Sequence, residues 1–424
     1  MVDLTKFSLI TFFTVISLYL CTIKSSQNAK LLINVFALSF YVYCGSGLSF
    51  NDMLFNEYLL KYYAYLILFM LTLRVTSDNT KGLKYINTDY RNAWHLVSLG
   101  AYIYIIMAFV GLVYPEFKLH YIFMPPKMST ENIFFYASRN QNDIMLKLVM
   151  TLQNLLLPIY LIYLNVLIIK GKKIKAVVIF LALVYVDYVS REYISRNEIL
   201  RYALLIISML FVIRQNGLVI TRKLIVCCVL MIVTMIPIFL GMQSYRLGGD
   251  FVVQSLTDAF LTLWRGESDY SKYYPYLTSR LIDVKDYLLW LIFLPIPSIL
   301  WRGKPAVYIN DIFTEHILGL VRGDQYFYVI LPSLLGESFM VFGQDFYWFQ
   351  ALLCGAITAY LFKSLYCNRY LRLNYIYFLS QFLFIARGGT PSFLPPLINS
   401  VVAICIFNFF VNALKLSNGV NQNA

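Results

Sequence analysis

Long apolar runs separated by short polar stretches dominate this chain. Windows close to the length that crosses the hydrocarbon core as a helix, roughly 17 to 25 residues, recur along most of it. The windows lie near residues 7–23, 31–50, 58–73, 95–114, 148–169, 175–190, 200–213, 224–241, 346–362, 373–386 and 396–414. The pattern predicts an all-α, polytopic integral membrane protein with about 11 transmembrane helices.

The composition agrees with this pattern. Hydrophobic residues make up 59% of the chain and charged residues only 13%, whereas soluble proteins carry about a quarter charged residues. Lipid is therefore the expected main solvent. The first apolar run has neither a basic segment before it nor a small-residue cleavage site, so we expect an uncleaved helix rather than a signal peptide.

The net charge of +13 is distributed over alternate loops. Cations cluster after the first, third, fifth, seventh and ninth apolar windows, whereas the other loops are balanced or acidic. By the positive-inside rule, this places the N-terminus outside and the C-terminus inside. Because the alternation uses the basic residues, no basic patch is left for a nucleic-acid partner.

The alternation of apolar windows is interrupted once, between residues 242 and 345. The predicted organisation is therefore residues 1–241 with eight transmembrane helices, residues 242–345 as a long extracytoplasmic (periplasmic) loop with re-entrant or interfacial helices, and residues 346–424 with three more helices and a cytoplasmic C-terminus. Loops of this length in compact proteins are usually functional. We therefore look for chemistry in this segment first.

Charged residues also cluster at the short outer turn VDYVSREYISRNEILRY. Arg191 and Arg196 there have two readings: a salt-bridge cluster that fixes two helix ends, or an anion site, since guanidinium groups match phosphate oxygens. Asp187 could pair with Arg191 four residues later on a helix.

Further cations follow on the predicted outer face, either reaching to the membrane interface or together binding a diphosphate. They are Arg246, Arg265, Arg280, Arg302 and Lys304. No Asp-x-Asp triplet accompanies them, and no Cys or His pair has metal-ligand spacing. We therefore predict neither a metal nor a cofactor.

Three motifs resemble one known family. PIPSILWRGKP ends in Lys304-Pro305, LPSLLGESFMVFG contains Gly336-Glu337 and Phe342-Gly343, and an apolar span follows. This order is similar to the outer-loop segment of the Wzy-type oligosaccharide repeat unit polymerases, which make O-antigen and capsular polysaccharide in bacteria. The SREYISRNEIL turn looks like that family's Ser-Arg segment, with Arg196 the preferred match and Arg191 the competing one. The motifs cover residues 190–362; the rest of the chain is similar only in hydropathy and loop placement.

The resemblance implies a membrane-embedded glycosyltransferase of GT-C-like architecture in the bacterial cytoplasmic (inner) membrane. It would transfer an undecaprenyl-diphosphate-linked glycan donor onto the non-reducing end of a second lipid-linked glycan, the acceptor, by metal-independent inverting chemistry. A chain-length regulator protein is a further candidate partner, besides membrane lipid. The outer arginines would stabilise the leaving diphosphate.

The acceptor hydroxyl needs a base, for which Glu337, His316 and Asp187 are the candidates. Each has a plainer reading. Glu337 could brace the following helix, His316 could be an ordinary surface residue, and Asp187 could serve only its salt bridge.

Other function classes remain open at this stage. A flippase or exporter of lipid-linked oligosaccharide would show repeated halves and charges along a central cavity. An O-antigen ligase-type glycan transferase would share the outer loop and stays open. A membrane acyltransferase would need a buried catalytic histidine, and neither His95 nor His120 lies convincingly within a span.

Overall fold

The computed structural model describes the chain in several ranges. These are residues 4–50, 52–79, 86, 88–111, 144–191, 196–215, 269–296, 301, 303–322 and 329–420, with the single positions 226, 229, 230, 234, 237 and 264. The helix positions 108–111, 144–150, 188–191, 196–197, 211–215 and 415–420 are described as backbone only. Over these ranges every regular element is helical.

Seven helices lie in the first half of the described chain. They are α1 (Leu4–Thr22), α2 (Gln27–Phe40), α3 (Asp52–Asn79), α4 (Trp94–Gly111), α5 (Ile144–Ile169), α6 (Lys173–Arg191) and α7 (Arg196–Gln215). A π-helical turn, Tyr41–Gly45, and a 3-10 turn, Ser46–Phe50, extend α2.

Six more follow in the second half. They are α8 (Val284–Phe293), α9 (Ile309–Leu318), α10 (Ser333–Phe346), α11 (Trp348–Tyr366), α12 (Arg372–Phe382) and α13 (Ile385–Val420). Two 3-10 helices, Ser271–Tyr276 and Arg369–Leu371, lie between them.

Among the described residues, six helices are long and apolar enough to cross a membrane. They are Leu4–Thr22, Gln27–Phe50, Asp52–Asn79, Thr151–Ile169, Trp348–Tyr366 and Ile385–Leu414. The prediction of a helical membrane protein is thus confirmed in its coarse form. Trp94–Met107 is apolar but shorter, and the windows at 175–190 and 200–213 form the more polar helices α6 and α7. The window at 224–241 lies almost wholly outside the described residues, so the total of 11 stays a prediction.

The chain forms two compact units, each assembled from distant parts of the sequence. The first unit comprises Met1–Lys81, Val253–Lys363 and Leu379–Ile398. In it α1, α2 and α3 pack together, and aromatic rings fill their interface: Phe36 stacks on Phe69 with ring centroids 3.8 Å apart, and Phe40 stacks on Tyr62 at 5.1 Å.

Short helices of the segment between residues 269 and 346 complete the first unit. α10 packs against α8, the 3-10 helix Ser271–Tyr276 and the π-helical turn. Its buried positions run through both faces, which is the pattern of a helix surrounded by protein. Asp283 caps α8 by accepting a hydrogen bond from the Lys285 amide at 2.8 Å, a standard helix start.

The second unit comprises Gly82–Val252, Ser364–Phe378 and Asn399–Ala424. Helix α5 packs against α4, α6 and α7. Its buried Asn165 donates hydrogen bonds to the backbone carbonyls of Arg369 and Tyr370, at 3.0 Å and 2.8 Å. These bonds matter because buried amide groups are costly unless paired.

Candidate functional site

The carboxylate of Glu337 lies at the centre of a buried polar cluster in the first unit. The side chain is fully buried. Its Oε1 accepts hydrogen bonds from Tyr287 Oη at 3.1 Å, from Gln350 Nε2 at 2.8 Å and from the hydroxyl of Thr390. Its Oε2 accepts one from the Thr390 amide at 2.7 Å. We call these four residues the Glu337 cluster.

The cluster lies where helix α13 is broken. Gly389 has φ 66° and ψ −165°, outside the helical region, and α13 resumes at Thr390. A Cβ on Gly389 would lie 2.0 Å from Glu337 Oε2, so both the backbone conformation and the space require glycine. The Thr390 amide belongs to the first turn after the break, where amides lack helical partners and favour a negative charge. Glu337 therefore supplies the cap of the resumed helix.

The protonation of Glu337 is shifted by this environment. α10 is not among the helices that could cross the membrane. Burial raises the pKa of Glu337 to about 7, although the hydrogen bonds from Thr390, Tyr287 and Gln350 oppose the shift. Because burial disfavours the charged form, the group can exist in either state near neutral pH.

An arginine that the sequence analysis did not single out precedes the break. Arg387 is half-buried, and its Nε donates a hydrogen bond to Tyr270 Oη at 3.0 Å. The signal in the sequence was ARGGTP: a cation followed by two glycines and a proline between two apolar windows. Broken helices with charge nearby are a recurring form of binding site in membrane proteins.

Tyr270 directly precedes the 3-10 helix Ser271–Tyr276. Residues of this helix line an open pocket of about 550 Å³. We call it the aromatic pocket; it is lined by Tyr273, Pro275, Tyr276, Thr278, His316 and Ile317. The Tyr276 side chain is 64% exposed. His316 Nε2–H donates to the Tyr276 carbonyl at 2.9 Å, since a carbonyl can only accept. The structure thus brings His316 together with Tyr273 and Tyr276 in the lining of one pocket.

Lys304 of the PIPSILWRGKP stretch binds backbone. Its ammonium donates to the carbonyls of Leu294 and Ile296 at 3.3 Å and 2.7 Å, just beyond the end of α8. Burial lowers its pKa. A cation at this place compensates the carbonyls at a helix C-terminus, which gives Lys304 a structural role that the sequence did not predict.

Arg280 is exposed and lies beside the kink of α10. At the kink, Gly343 has φ 76°, and a Cβ built there would lie 3.5 Å from Arg280 Nε. The segment after Arg280 is fixed, because the amides of Leu281 and Ile282 both donate to the Met340 carbonyl, at 2.9 Å and 3.2 Å. The Phe342-Gly343 motif therefore shapes the surface on which Arg280 stands.

Asp187 belongs to the second unit, where one of its partners is a tyrosine; its pairing with Arg191 stays a prediction, because Arg191 is described as backbone only. Its carboxylate accepts a hydrogen bond from the hydroxyl of Tyr202. Nearby on α7, the buried Arg201 donates to Tyr377 Oη at 2.7 Å and lies 3.8 Å from Glu198 Oε1. This group of charged and phenolic side chains joins α6, α7 and α12, as a buried structural network would.

The remaining predicted cations are outside the described side chains. Arg191 ends α6 and Arg196 begins α7, both described as backbone only. Arg246, Arg265 and Arg302 lie outside the described residues. Their assignment to a diphosphate site stays a prediction. Within the described part of the chain, no group of three His, Cys, Asp or Glu residues could hold a metal ion.

Comparison with known proteins gives no family for this chain: no protein-family model, curated sequence or solved structure matches it.

Proposed function

We propose that the chain is a membrane-embedded polymerase that joins lipid-diphosphate-linked oligosaccharide repeat units at the outer face of the bacterial cytoplasmic membrane. The finer features of the proposal are about 11 spans, a GT-C-like architecture, an external N-terminus and an internal C-terminus. The donor and acceptor would be undecaprenyl-diphosphate-linked glycans, and a chain-length regulator is a candidate partner.

One observation carries the proposal most. The Gly336-Glu337 and Phe342-Gly343 motifs, on which the resemblance rests, lie on α10, which is fixed to the break in α13 through Glu337 and Thr390. Residues at such broken helices usually serve a site, because non-helical backbone at membrane depth is tolerated only inside protein or beside a cavity. The motif residue Glu337 therefore stabilises the break in α13, and such a break is a common part of a binding site.

The reaction divides into two demands on the chain. The acceptor hydroxyl oxygen attacks the anomeric carbon of the donor, the bond from that carbon to the diphosphate oxygen breaks, and the hydroxyl proton passes to a base. Negative charge grows on the leaving lipid diphosphate, so cations must stand near it. In the first unit, Arg387 beside the break and Arg280 are candidates for that task; the assignment of Arg196 and Arg246 rests on the sequence alone.

The described contacts separate the candidate bases. Glu337 is fully buried and already accepts from four donors, which favours a positioning role. His316 is exposed on a pocket wall. Because its Nε2 donates to the Tyr276 carbonyl, the Nδ1 atom is the one that can accept a proton in the neutral ring. We therefore prefer His316 as the base.

The test is a polymerisation reaction with purified protein in lipid nanodiscs and lipid-diphosphate-linked repeat units, with the products sized on a gel. A ladder of products supports the proposal. Movement of labelled lipid across a bilayer without a ladder would replace it by the flippase. Transfer of glycan only to a different lipid acceptor would replace it by the ligase.

A further inference from the structure

The aromatic pocket has the chemistry of a neutral saccharide site. Its lining offers the rings of Tyr273 and Tyr276, and these lie beside the apolar surfaces of Pro275 and Ile317. Thr278 and His316 add polar groups. None of these six lining residues is Lys, Arg, Asp or Glu. A pyranose has the matching properties, since it presents apolar C–H faces to rings and hydroxyls to polar groups.

The pocket is held in shape by contacts behind its lining. Tyr274 is fully buried between the half-buried Tyr273 and the exposed Pro275 of the 3-10 helix, and its hydroxyl lies 3.2 Å from Ser333 Oγ. Tyr273 meets the ring of Phe313 edge-on with centroids 5.6 Å apart. His316 links α9 to the 3-10 helix through the Tyr276 carbonyl. A preformed site of this kind loses little entropy when a ligand binds.

The size and charge of the pocket favour the acceptor glycan over the donor glycan as its ligand. A volume of about 550 Å³ lies in the range of sites that enclose small ligands, so it suits the end of a glycan. The donor's reacting sugar carries a diphosphate, which calls for cations, and the six described lining residues supply none. The acceptor reacts through an uncharged hydroxyl of the sugar at its non-reducing end.

We propose that the aromatic pocket binds the non-reducing end of the acceptor glycan, with Tyr276 as the stacking platform. This inference rests on the proposed function for its choice of ligand, but the binding site can be tested without catalysis.

The experiment measures binding of the repeat-unit oligosaccharide, released from its lipid by mild acid, to the full-length protein in nanodiscs. Saturation-transfer NMR and a titration give the dissociation constant. Tyr276→Ala is the test variant. Tyr308→Ala is the matched control, because Tyr308 is equally exposed, at 62% against 64%, lies just before α9 and does not line the pocket. His316→Gln is a second test variant, which keeps a polar side chain of similar size and removes the imidazole ring.

We expect Tyr276→Ala to weaken binding about tenfold, as loss of a central aromatic contact does, and Tyr308→Ala to leave it unchanged. Equal behaviour of the two tyrosine variants, or no binding by the wild-type protein, would overturn the pocket assignment. A ladder that persists at wild-type rate in Tyr276→Ala would overturn it too while leaving the polymerase intact. Saccharide binding that depends on Tyr276 in a protein that makes no ladder would remove the proposed function and keep the site.

Discussion

Glu337 and Thr390, 53 residues apart in the sequence, are joined by two hydrogen bonds: the backbone amide of Thr390 donates to one carboxylate oxygen and its hydroxyl to the other. The pair fixes α10 against the break in α13. Both residues are fully buried. The stability of this contact should therefore depend on the protonation of Glu337 and on the absence of a side chain at Gly389.

The first prediction concerns pH. Burial raises the pKa of Glu337 from 4.5 to about 7, so between these values the folded chain binds more protons than the unfolded chain. The contribution of Glu337 to the free energy of unfolding is therefore fully present below about pH 4.5. As pH rises through about 7, the free energy of unfolding falls by about 3 kcal/mol. We expect the Tm of the wild type minus the Tm of Glu337→Gln to decrease as pH is raised across this window.

Thermal unfolding in detergent, followed by fluorescence at several pH values, checks this. The Gln side chain does not titrate, so groups elsewhere cancel in the difference. A difference that stays constant or grows with pH would contradict the shifted carboxyl.

The second prediction separates strain from collision at Gly389. Gly389 and Gly343 have nearly the same backbone conformation, with φ 66° and ψ −165° for the first and φ 76° and ψ 176° for the second. A Cβ on Gly343 would make only an ordinary contact, 3.5 Å from Arg280 Nε, whereas one on Gly389 would lie 2.0 Å from Glu337 Oε2. Gly343→Ala should cost only the backbone strain, about 1 to 3 kcal/mol, and Gly389→Ala clearly more. Equal losses of Tm would show that the carboxylate is not where the structure has it.

The third prediction distinguishes Lys304 from Arg280. Lys304→Met keeps the aliphatic stem but removes the cation from the carbonyls of Leu294 and Ile296, so we expect a loss of about 1 kcal/mol in stability. Arg280 is exposed, so Arg280→Ala should leave Tm unchanged and lower the polymerisation rate if it binds the diphosphate. The reverse outcome would exchange the two roles.

The fourth prediction tests Arg387. If this residue binds the lipid diphosphate, Arg387→Ala should abolish the ladder while the protein remains folded. Tyr270→Phe removes only the hydroxyl that accepts from Arg387, so we expect a partial loss. Arg322→Ala is the control, since Arg322 forms a surface ion pair with Asp311 at 2.9 Å. Full activity of Arg387→Ala would remove this residue from the site.

The sequence predicted what depends on local pattern. The windows at 7–23, 31–50 and 58–73 correspond to α1, α2 with its extension, and α3, because a spanning helix needs only a continuous apolar run. It did not predict that residues 387–395, which lie between two windows, belong to the same spanning helix as 396–414. The double glycine and the prolines interrupt the apolar pattern there.

The site could be predicted only as a set of residue types. His316 and Tyr276 are 40 residues apart, and their contact depends on how α9 packs, which no local pattern contains. The same holds for Lys304: its charge suggested a ligand, but its partners are carbonyls exposed by the end of α8. The chemistry of a side chain is readable from sequence, whereas its partner is decided by the fold.

The Glu337 cluster also has a consequence for how the protein is made. Tyr287 and Gln350 leave the ribosome before Thr390, and a domain generally folds as a unit once its segments are synthesised. The carboxylate therefore gains its last two donors only after synthesis has passed residue 390. A nascent chain that stops short of residue 390 would leave the carboxyl of Glu337 without the two donors of Thr390, so we expect a truncation before this residue to give a product that cellular quality control removes.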